Sequence, residues 1–428
     1  MTSRERVRSG LEHKEGDRVP LGLCECPAFG MHASTVYRLC QALGLDPDGT
    51  PVKVSEPYVM VGEIKPDDLA AALGSDVVFV PVGARTAFGF KNEGWKPWTS
   101  FDGTPLLVPE CFNTESEPDG VILMYPQGDR TAPTSGRLPK DGWYFDSIVR
   151  QPPIEDGKLH FEDLCEGLAP IADDGLAHLK REVDRLYEET DEAILIRFGN
   201  TAFGDAVRVA APFLRHPKGI RDIEEWYISH VTRSEYILRV FERQCEVALV
   251  NLEQVYRAVG DRVMVAHPTD TDFGAQTQPL FSPDIYSQLY KPFHKDLKEW
   301  VHRHTSWKTL IHTDGAARAL FPDIIEAGFD VLNPVQWSAG GMNPVELKQE
   351  FGELITFWGG GTDAQATLPF GTPDEVQREV RSPLRIFGRG GGYVFGPVHN
   401  IRPLVPIENL LAMLEAVREY SVYPLAVG

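Results

Sequence analysis

Short runs of apolar, often β-branched residues recur along the chain, and most are nearly continuous rather than alternating with polar residues. Strands of this kind are typical of a parallel sheet that is covered on both faces. Each run is short enough for one strand, and Gly, Pro or polar residues bound most of them. We predict eight strands, at 19–23, 76–82, 193–199, 263–268, 309–315, 331–336, 355–361 and 392–398.

Helical patterns lie between most of these strands. Ser282 precedes a proline, which is a typical N-cap and first-turn pair, and Thr372 with Glu375 three residues later forms a capping-box pattern. Residues 407–420 have the apolar spacing of a C-terminal helix. Repeated alternation of strand and helix predicts an α/β fold, specifically a (β/α)8 TIM barrel that forms a single domain over residues 1–428.

The connection between the second and third strands is much longer than the others. Its first part, 83–152, is rich in Gly, Pro and aromatic residues and contains hairpin-like turns at Asp102-Gly103 and Asp119-Gly120. Its later part, 166–189, has the pattern of the missing barrel helix. We therefore predict that 83–152 is a β-rich insertion over the barrel mouth.

Charge and cysteine content narrow the classes of partner. The 428 residues carry 42 Lys and Arg against 62 Asp and Glu, a net charge of −20, which disfavours nucleic acid and anionic membranes. Met1 to Arg8 is polar, the six cysteines contain no C-x-x-C pair, and no apolar run reaches the roughly 20 residues of a membrane helix. We expect a soluble cytoplasmic protein with reduced thiols and a small-molecule substrate.

Polar side chains follow the predicted strands. In a parallel barrel the carboxyl ends of all strands meet on one face, where active sites lie. These side chains are therefore expected to meet at one rim. They are Cys24, Glu25, Cys26, Arg197, Asn200, His267, Asp270, Asp272, His312, Asp314, Asn333, Gln336, Asp363, Gln365, His399 and Asn400.

Three of these residues form a candidate metal site. His312 and Asp314 lie two positions apart at the end of one strand, and His399 follows the last strand. Two imidazoles and one carboxylate can hold a divalent cation and leave positions open for a substrate. In the alternative interpretation, the two histidines form hydrogen bonds within a polar mouth and Asp314 caps the next helix.

The remaining rim residues are candidates for catalysis and substrate binding. Asp270 and Asp272 could hydrogen-bond a substrate, orient a metal ligand or act as acid or base, although aspartates in turns often only hold backbone amides. Two groups of residues are predicted. The catalytic group is Asp272, Gln276, Asn333 and Gln336, and the substrate-binding group is His267, Asp270, Trp337, Asp363 and Gln365.

Several segments resemble the uroporphyrinogen decarboxylase superfamily, and more narrowly its branch related to corrinoid-dependent methyltransferases. They are SRERV with HKEGDRVP within residues 3–20, DFGAQTQPLFSP at 272–283, and the run from IHTDGA at 311–316 to GGYVFGPVHNI at 391–401. The resemblance implies the same barrel that the strand count predicts. Residues 21–37 contain no Arg or Lys, whereas the decarboxylase has an Arg-rich segment there that binds porphyrinogen carboxylates.

The methyltransferase branch binds zinc through a His-x-Cys pair and a further ligand near the last strand. The matching positions here are His312, Asp314 and His399, and Thr362 stands where many relatives have Cys. Loss of thiolates leaves two alternatives, a harder centre of two histidines and one carboxylate or no metal at all, and zinc is first among the divalent metals considered. The thiols of Cys24 and Cys26 could add ligands, but packing is the preferred interpretation.

The resemblance implies methyl transfer between a small molecule, either a methoxylated compound or a thiol, and a corrinoid. No D-x-H-x-x-G motif is present, so a partner protein would carry the corrinoid. The alternatives are a decarboxylase of a small carboxylic acid on the same barrel and a non-catalytic binding protein. The sequence does not specify the oligomeric state, although the insertion 83–152 and the resemblance are both compatible with a homodimer.

Overall fold

The computed structural model describes residues 1–82, 85–197, 201–269 and 271–425. The described residues contain fifteen strands, which we number β1 to β15 in chain order. Their bounds are Val52–Glu56, Val61–Gly62, Val77–Pro81, Trp95–Thr99, Pro105–Pro109, Thr114–Ser116, Ile122–Met124, Gly136–Leu138, Asp146–Ser147, Ala193–Arg197, Val265–Thr269, Lys308–His312, Val331–Asn333, Thr356–Trp358 and Tyr393–Val394.

The described residues contain fourteen α-helices, α1 to α14, and several of them begin at a side-chain cap. Ser282 and Thr372 are N-caps as predicted, Glu375 completes the capping box of α13, and the last helix covers the predicted range. The helices are Ser3–Leu11, Ala33–Ala42, Ala71–Leu73, Asp173–Glu189, Ala206–Ala210, Ile223–Thr232, Ser234–Val259, Pro283–Ile285, Lys291–His304, Phe321–Glu326, Pro344–Phe351, Thr367–Phe370, Pro373–Phe387 and Ile407–Tyr420.

Seven of the predicted strands form one parallel sheet in the order β15-β14-β13-β12-β11-β10-β3. The eighth predicted strand, 19–23, is not a regular strand, but it joins both edges of this sheet. Gly22 N donates to the Phe395 carbonyl and Phe395 N to the Pro20 carbonyl at 2.8 Å each, and Asp76 N donates to the Leu21 carbonyl at 2.7 Å. The arrangement is an α/β fold consistent with a TIM barrel.

Alternate residues of the sheet strands lie in two different cores. In β10, Ala193 and Leu195 belong to a small interior cluster with Val265 and Leu310, whereas Ile194 and Ile196 belong to the large cluster that contains apolar residues of the helices. Both faces of each strand are therefore apolar. This double burial explains why the strand sequences are continuous apolar runs.

Two four-stranded sheets lie outside the barrel sheet. One has the order β2-β1-β5-β4 and the other β6-β7-β8-β9. Strands β4 to β9 fall within the predicted insertion 83–152, whereas β1 and β2 precede the second barrel strand. The β-rich character of this region is observed, and the sheet extends further toward the N-terminus than the sequence predicted. The placement of 83–152 as an insertion over the mouth stays a prediction.

A buried carboxylate ties the N-terminal segment to the barrel. Asp76 is fully buried and accepts hydrogen bonds from Ser3 Oγ at 2.7 Å, from Arg6 Nη1 at 2.6 Å and from Arg18 Nη1 at 2.7 Å. It also accepts hydrogen bonds from Arg18 Nη2 at 3.0 Å and from the backbone N–H of Leu21 at 2.8 Å, within the segment that joins the sheet edges. Through Asp76, the polar residues Ser3, Arg6 and Arg18 thus hold the segment 19–23 in place. We call 19–23 the closing segment, because it joins both edges of the sheet.

Asp330 provides a test of stability against pH. Burial alone would raise the pKa of Asp330, but His302, Lys308 and the Thr309 amide together outweigh burial and lower it from 3.8 to about 2. The stabilisation is therefore present above about pH 4 and is lost as pH falls toward 2. We expect Asp330→Asn to lower the free energy of unfolding by about 2 kcal/mol at pH 7.

Urea unfolding at pH 7 and at pH 3 measures this effect. The difference in the free energy of unfolding between the unmutated protein and the Asp330→Asn variant should shrink at pH 3. At that pH the Asp330 carboxylate of the unmutated protein is partly protonated in the unfolded state. A difference that is the same at both pH values would contradict the assignment.

Two further expectations concern the cysteines and membranes. All six cysteines are free in the structure, and Cys24, Cys26 and Cys245 are buried. Among the described residues, no helix combines the length and apolar character that crossing a membrane requires.

Candidate functional site

The three predicted metal ligands meet at one rim of the parallel sheet. His312 is the last residue of β12, Asp314 follows it, and His399 follows β15. Asp314 Oδ2 lies 3.7 Å from His312 Nε2 and 3.3 Å from His399 Nε2, and one ligand atom from each residue lies within 4.8 Å of the others. These side chains, far apart in sequence, form one compact group.

Asn333 fixes the orientation of the His312 ring. The Asn333 amide donates from Nδ2 to the Trp358 carbonyl at 3.2 Å, so its Oδ1 faces the imidazole and accepts a hydrogen bond from His312 Nδ1 at 2.6 Å. Nδ1 therefore carries a proton, and Nε2 faces Asp314. Hydrogen bonds of this kind are typical of metal-bound histidines.

The turn that carries Asp314 is held by three predicted catalytic residues. Asp272 Oδ1 accepts the Asp314 N–H at 3.0 Å, and Gln336 Oε1 accepts the Gly315 N–H at 2.8 Å. Gln336 Nε2 in turn donates to Gln276 Oε1 at 3.0 Å. Asp272, Gln276 and Gln336 therefore position the backbone behind the carboxylate.

Gly315 is required by this turn. Its φ is +83°, and a Cβ at this position would lie 2.3 Å from the Gly274 carbonyl oxygen. Any other residue would push the two loops apart, and Asp314 would move with them.

Burial and mutual charge shift the acids and imidazoles of the site. Burial raises the pKa of Asp272, and the nearby Asp314 raises it further. Burial also raises the pKa of Asp314, against the opposing effect of His312. Burial and the neighbouring His312 lower the pKa of His399. Near neutral pH, the His399 imidazole is therefore neutral, and Asp272 can hold a proton more readily than an aspartate with the ordinary pKa.

Aromatic rings pack against the buried side of the site. The Phe29 ring is 6.3 Å from that of His312 and 6.2 Å from that of His267, and the two imidazoles are 6.2 Å apart. His267, a predicted substrate-binding residue, is therefore next to the candidate ligands. Phe29 has no polar group and was not predicted from the sequence. Cys24 and Cys26 belong to the same interior cluster as Phe29, in agreement with packing.

Other predicted residues have local structural partners. Asp363 Oδ1 accepts the N–H groups of Gln365 and Ala366 at 2.7 and 3.2 Å, and Gln365 is exposed. Trp337 Nε1 donates to the Gly360 carbonyl at 2.8 Å. Their substrate-binding roles stay predictions. Asp270 and Asn200 lie outside the described residues.

A cavity of about 430 Å³ lies where the segment 19–23 and the strands β3 and β10 end. Its walls include Glu25, which follows 19–23, and Pro81 and Arg197, the last residues of β3 and β10, together with Glu56 and Arg208 from other segments. Glu25 and Arg197 were predicted to lie at the rim, whereas Glu56 and Arg208 were not. Neither residue follows a predicted barrel strand, so the criterion of position at a strand end did not select them.

The family model described as Uroporphyrinogen decarboxylase (URO-D) matches residues 165–420, more than half of the chain. This stretch contains β10 to β15 and all three candidate metal ligands. The chain belongs to the uroporphyrinogen decarboxylase family. The predicted relationship is thereby confirmed.

Two curated relatives with different names illustrate the similarity in sequence. Uroporphyrinogen decarboxylase of Actinobacillus succinogenes is 34% identical over 98 residues, which are 23% of this chain and 26% of that protein. Methylcobamide:CoM methyltransferase MtaA of Methanosarcina barkeri is 24% identical over 201 residues, 47% of this chain and 53% of that protein. The matches thus span from about a quarter to about half of these relatives.

A solved structure extends the likeness of fold to nearly the whole chain. A methyltransferase from Methanosarcina mazei aligns over 98% of this chain and 99% of its own, with a TM-score of 0.55 and 15% sequence identity. At this identity the likeness concerns the fold. It supports the α/β barrel architecture of the family.

The candidate ligands fit a divalent metal. Asp314 Oδ1 is buried and has no hydrogen-bond partner among the described residues, while Oδ2 faces both imidazoles. His399 keeps 37% of its side-chain surface exposed, so the group is open on one side. Two imidazoles and one carboxylate form a set of ligands that zinc and other first-row divalent metals accept.

Proposed function

We propose that this protein transfers a methyl group between a small molecule, a methoxylated compound or a thiol, and a corrinoid that a partner protein carries. The observation that carries the proposal is the convergence of His312, Asp314 and His399 with an open side. A divalent metal bound there would supply Lewis acidity to a substrate oxygen or sulfur. Relatives named as methylcobamide:CoM methyltransferases support this choice within the family.

The chain's own residues would prepare the site and supply a proton. Asn333 keeps the lone pair of His312 Nε2 available, and Asp272 and Gln336 hold the turn of Asp314. In the demethylation direction, the methyl group leaves the ether oxygen for the reduced corrinoid, which is the second substrate. The oxygen then needs one proton to become the alcohol. Asp272 is the candidate donor because burial and Asp314 raise its pKa.

The test combines metal analysis with a spectroscopic assay. Purified protein should contain about one divalent metal per chain and should convert cob(I)alamin to methylcobalamin with at least one member of a panel of methoxylated compounds or methyl thioethers. A metal-free protein with full activity would reject the metal, and a metal-loaded protein that methylates cobalamin with no member of the panel would reject the transfer.

Decarboxylation of a small acid is the second candidate. Asp272 favours it, because a carboxyl with a raised pKa can protonate the carbanion left by loss of CO2. Curated relatives named uroporphyrinogen decarboxylase are consistent with this chemistry. Release of CO2 from a carboxylic acid without any change in the cobalamin spectrum would favour this alternative.

Asn333 offers a graded test of the metal site. We expect Asn333→Ala to weaken metal affinity by about 10- to 100-fold, because His312 loses the acceptor that fixes its tautomer and ring orientation. Competition with a chromophoric chelator measures this affinity. Asn343→Ala is the matched control, since that side chain caps α11 instead. Equal metal affinity in the native protein and Asn333→Ala would contradict the role.

A further inference from the structure

A groove between α11 and α13, on the outer surface of the barrel, is lined by basic side chains. Its volume is about 520 Å³, and among the described residues no Asp or Glu lines it. The titratable residues of its walls are Lys348, Arg378, Arg381, Arg385 and Arg389. We call this feature the basic groove. Five cations without an acid form a local exception in a chain whose net charge is −20.

The four arginines follow the helical repeat of α13. Arg378, Arg381 and Arg385 lie three and then four residues apart, and Arg389 follows four residues later, just beyond the end of the helix. Side chains at this spacing lie on one face of a helix. At a rise of about 1.5 Å per residue they cover about 16 Å along the helix axis. The positive charge therefore forms a stripe rather than a point.

The guanidinium groups of this stripe have no carboxylate partner in the part of the chain that the structure describes. Arg378 Nε donates to the Asp374 carbonyl at 3.2 Å, and the Arg381 guanidinium lies 4.9 Å from the centroid of the Tyr420 ring. Neither contact neutralises the charge. Arg381 and Arg385 are half-buried, and their Nε atoms are buried without a hydrogen-bond partner. Partial burial holds these two side chains in place, so little conformational entropy is lost when they bind an anion.

Lys348 adds less positive charge than the arginines. Its Nζ donates to the Gly391 carbonyl at 2.9 Å. Burial also lowers the pKa of Lys348, against the opposing effect of the nearby Glu353. The stripe of arginines therefore dominates the electrostatic field of the basic groove.

Acids of the neighbouring segments have other partners. Glu346 and Glu350 of α11 both pair with Arg318, which does not line the groove. Glu15 accepts the N–H of the residue that follows Arg389, at 3.0 Å, and offsets part of the charge at that end. The middle of the stripe is therefore the strongest part of the basic groove for an external anion.

A second cavity continues the basic groove toward the barrel mouth. It measures about 700 Å³ and shares Arg378 and Ser382 with the groove. Its walls include Trp337 and Phe370, and Phe370 is 79% exposed. These two residues follow β13 and β14, whose carboxyl ends belong to the rim that holds the candidate metal ligands. The surface thus has an apolar end near the mouth and a basic end further down α13.

Two acids line this second cavity, and both serve the local fold. Glu375 forms the capping box of α13 with Thr372. Glu379 accepts hydrogen bonds from Thr362 Oγ1 at 2.8 Å and from the Asp363 N–H at 2.7 Å. Their charge makes the mouth end less positive than the basic groove. A matching partner is therefore apolar at one end and acidic along the rest.

We propose that the basic groove binds an acidic α-helical segment of a partner protein, with an apolar residue of that segment against Phe370. A helix with Asp or Glu every three or four residues repeats its carboxylates at the same pitch of about 5.4 Å as the arginines of α13. Each guanidinium can bind a carboxylate by two parallel hydrogen bonds. A phosphate chain would use the arginines but not the exposed ring, and the net charge of −20 disfavours an anionic membrane. The inference goes beyond the proposed function, since this contact requires neither a metal nor a corrinoid.

The binding test uses two synthetic peptides that differ only in charge. Both are alanine-based, end in Leu and are held helical by a hydrocarbon crosslink. The Glu peptide carries Glu at every fourth position, and the Gln peptide has Gln at the same positions. Calorimetry with the unmutated protein should show that the Glu peptide binds about 10- to 100-fold more tightly than the Gln peptide. This preference should decrease as salt is added.

Variants locate the binding site on the surface. Arg381→Gln combined with Arg385→Gln should weaken binding of the Glu peptide by about 10-fold or more. Arg130→Gln combined with Arg137→Gln is the matched control, because it removes the same charge from two exposed arginines outside both cavities and should leave the affinity unchanged. Phe370→Ser should weaken binding of both peptides, since each loses the apolar contact of its Leu.

Three results would overturn this inference. They are equal affinity for the two peptides, absence of binding to the Glu peptide, and equal affinity of the Glu peptide for the unmutated protein and for the variant with both Arg381→Gln and Arg385→Gln. Inorganic triphosphate and vesicles of phosphatidylglycerol are the rival probes. Binding of either probe that depends on these two arginines, without binding of the Glu peptide, would assign the groove to a phosphate ligand instead. The peptides are measured without metal or corrinoid, so the result is independent of the outcome for methyl transfer.

Discussion

His312→Ala is expected to lose its bound metal and its methyl transfer together. The substitution removes an imidazole whose Nε2 faces Asp314 at 3.7 Å and whose other nitrogen is held by Asn333. Because a Lewis-acidic metal supplies several kcal/mol to the chemical step, activity should fall by about 1000-fold or more. Elemental analysis and the methylcobalamin assay on the same sample measure both losses.

The matched control for this prediction is His304→Ala. His304 is an exposed histidine at the end of α9, where its ring stacks on Trp300. This variant should keep its metal and its activity. Retention of stoichiometric metal by His312→Ala, or full activity after metal loss, would show that the three residues do not form the proposed centre.

Asp76→Ala is expected to destabilise the fold by about 3–5 kcal/mol. The alanine would leave Arg6 and Arg18 without their buried acceptor and the Leu21 amide without its partner. Buried cations that lose a carboxylate cost far more than exposed ones. Urea denaturation, followed by circular dichroism, measures the loss, and a fall in soluble yield should accompany it.

Two other variants serve as controls for the Asp76 prediction. Asp76→Asn retains the shape and one acceptor oxygen, so its loss of stability should be smaller than that of Asp76→Ala. Asp156→Ala removes an exposed partner of Arg233 and should change stability little. If Asp76→Ala and Asp156→Ala unfolded at the same urea concentration, the buried network would not be the element that holds the N-terminal segment.

The barrel could be predicted because its strands carry a strong local signal. Residues such as Ile194 and Leu195 face different cores, so the whole strand is apolar and stands out from its neighbours. The closing segment was also found, although its hydrogen bonds are too few for a regular strand. Its stabilisation by Asp76 was not predictable, since nothing in the sequence separates a buried arginine such as Arg6 from a surface one.

The prediction of the candidate site depended on the topology of the barrel rather than on local sequence patterns, and it was correct only in part. Strand ends converge in a parallel barrel, so His312, Asp314 and His399 could be grouped without a structure. Phe29 was missed because it carries no polar signal, and Arg208 because its segment does not end a strand. The long-range contacts that bring Glu56 beneath Phe88 depend on the outer sheet, whose position the sequence did not specify.

The hydrogen bonds between Gly22 and Phe395 have a consequence for synthesis. They pair two segments that lie on either side of β3 and β10 to β14 in the sequence, so the ring of strands cannot close before Phe395 has been synthesised. Until then the apolar edges of the sheet have no neighbour, and long-range pairing of this kind is slow and exposes the chain to aggregation. Closure of the sheet is therefore expected to be a late step in folding.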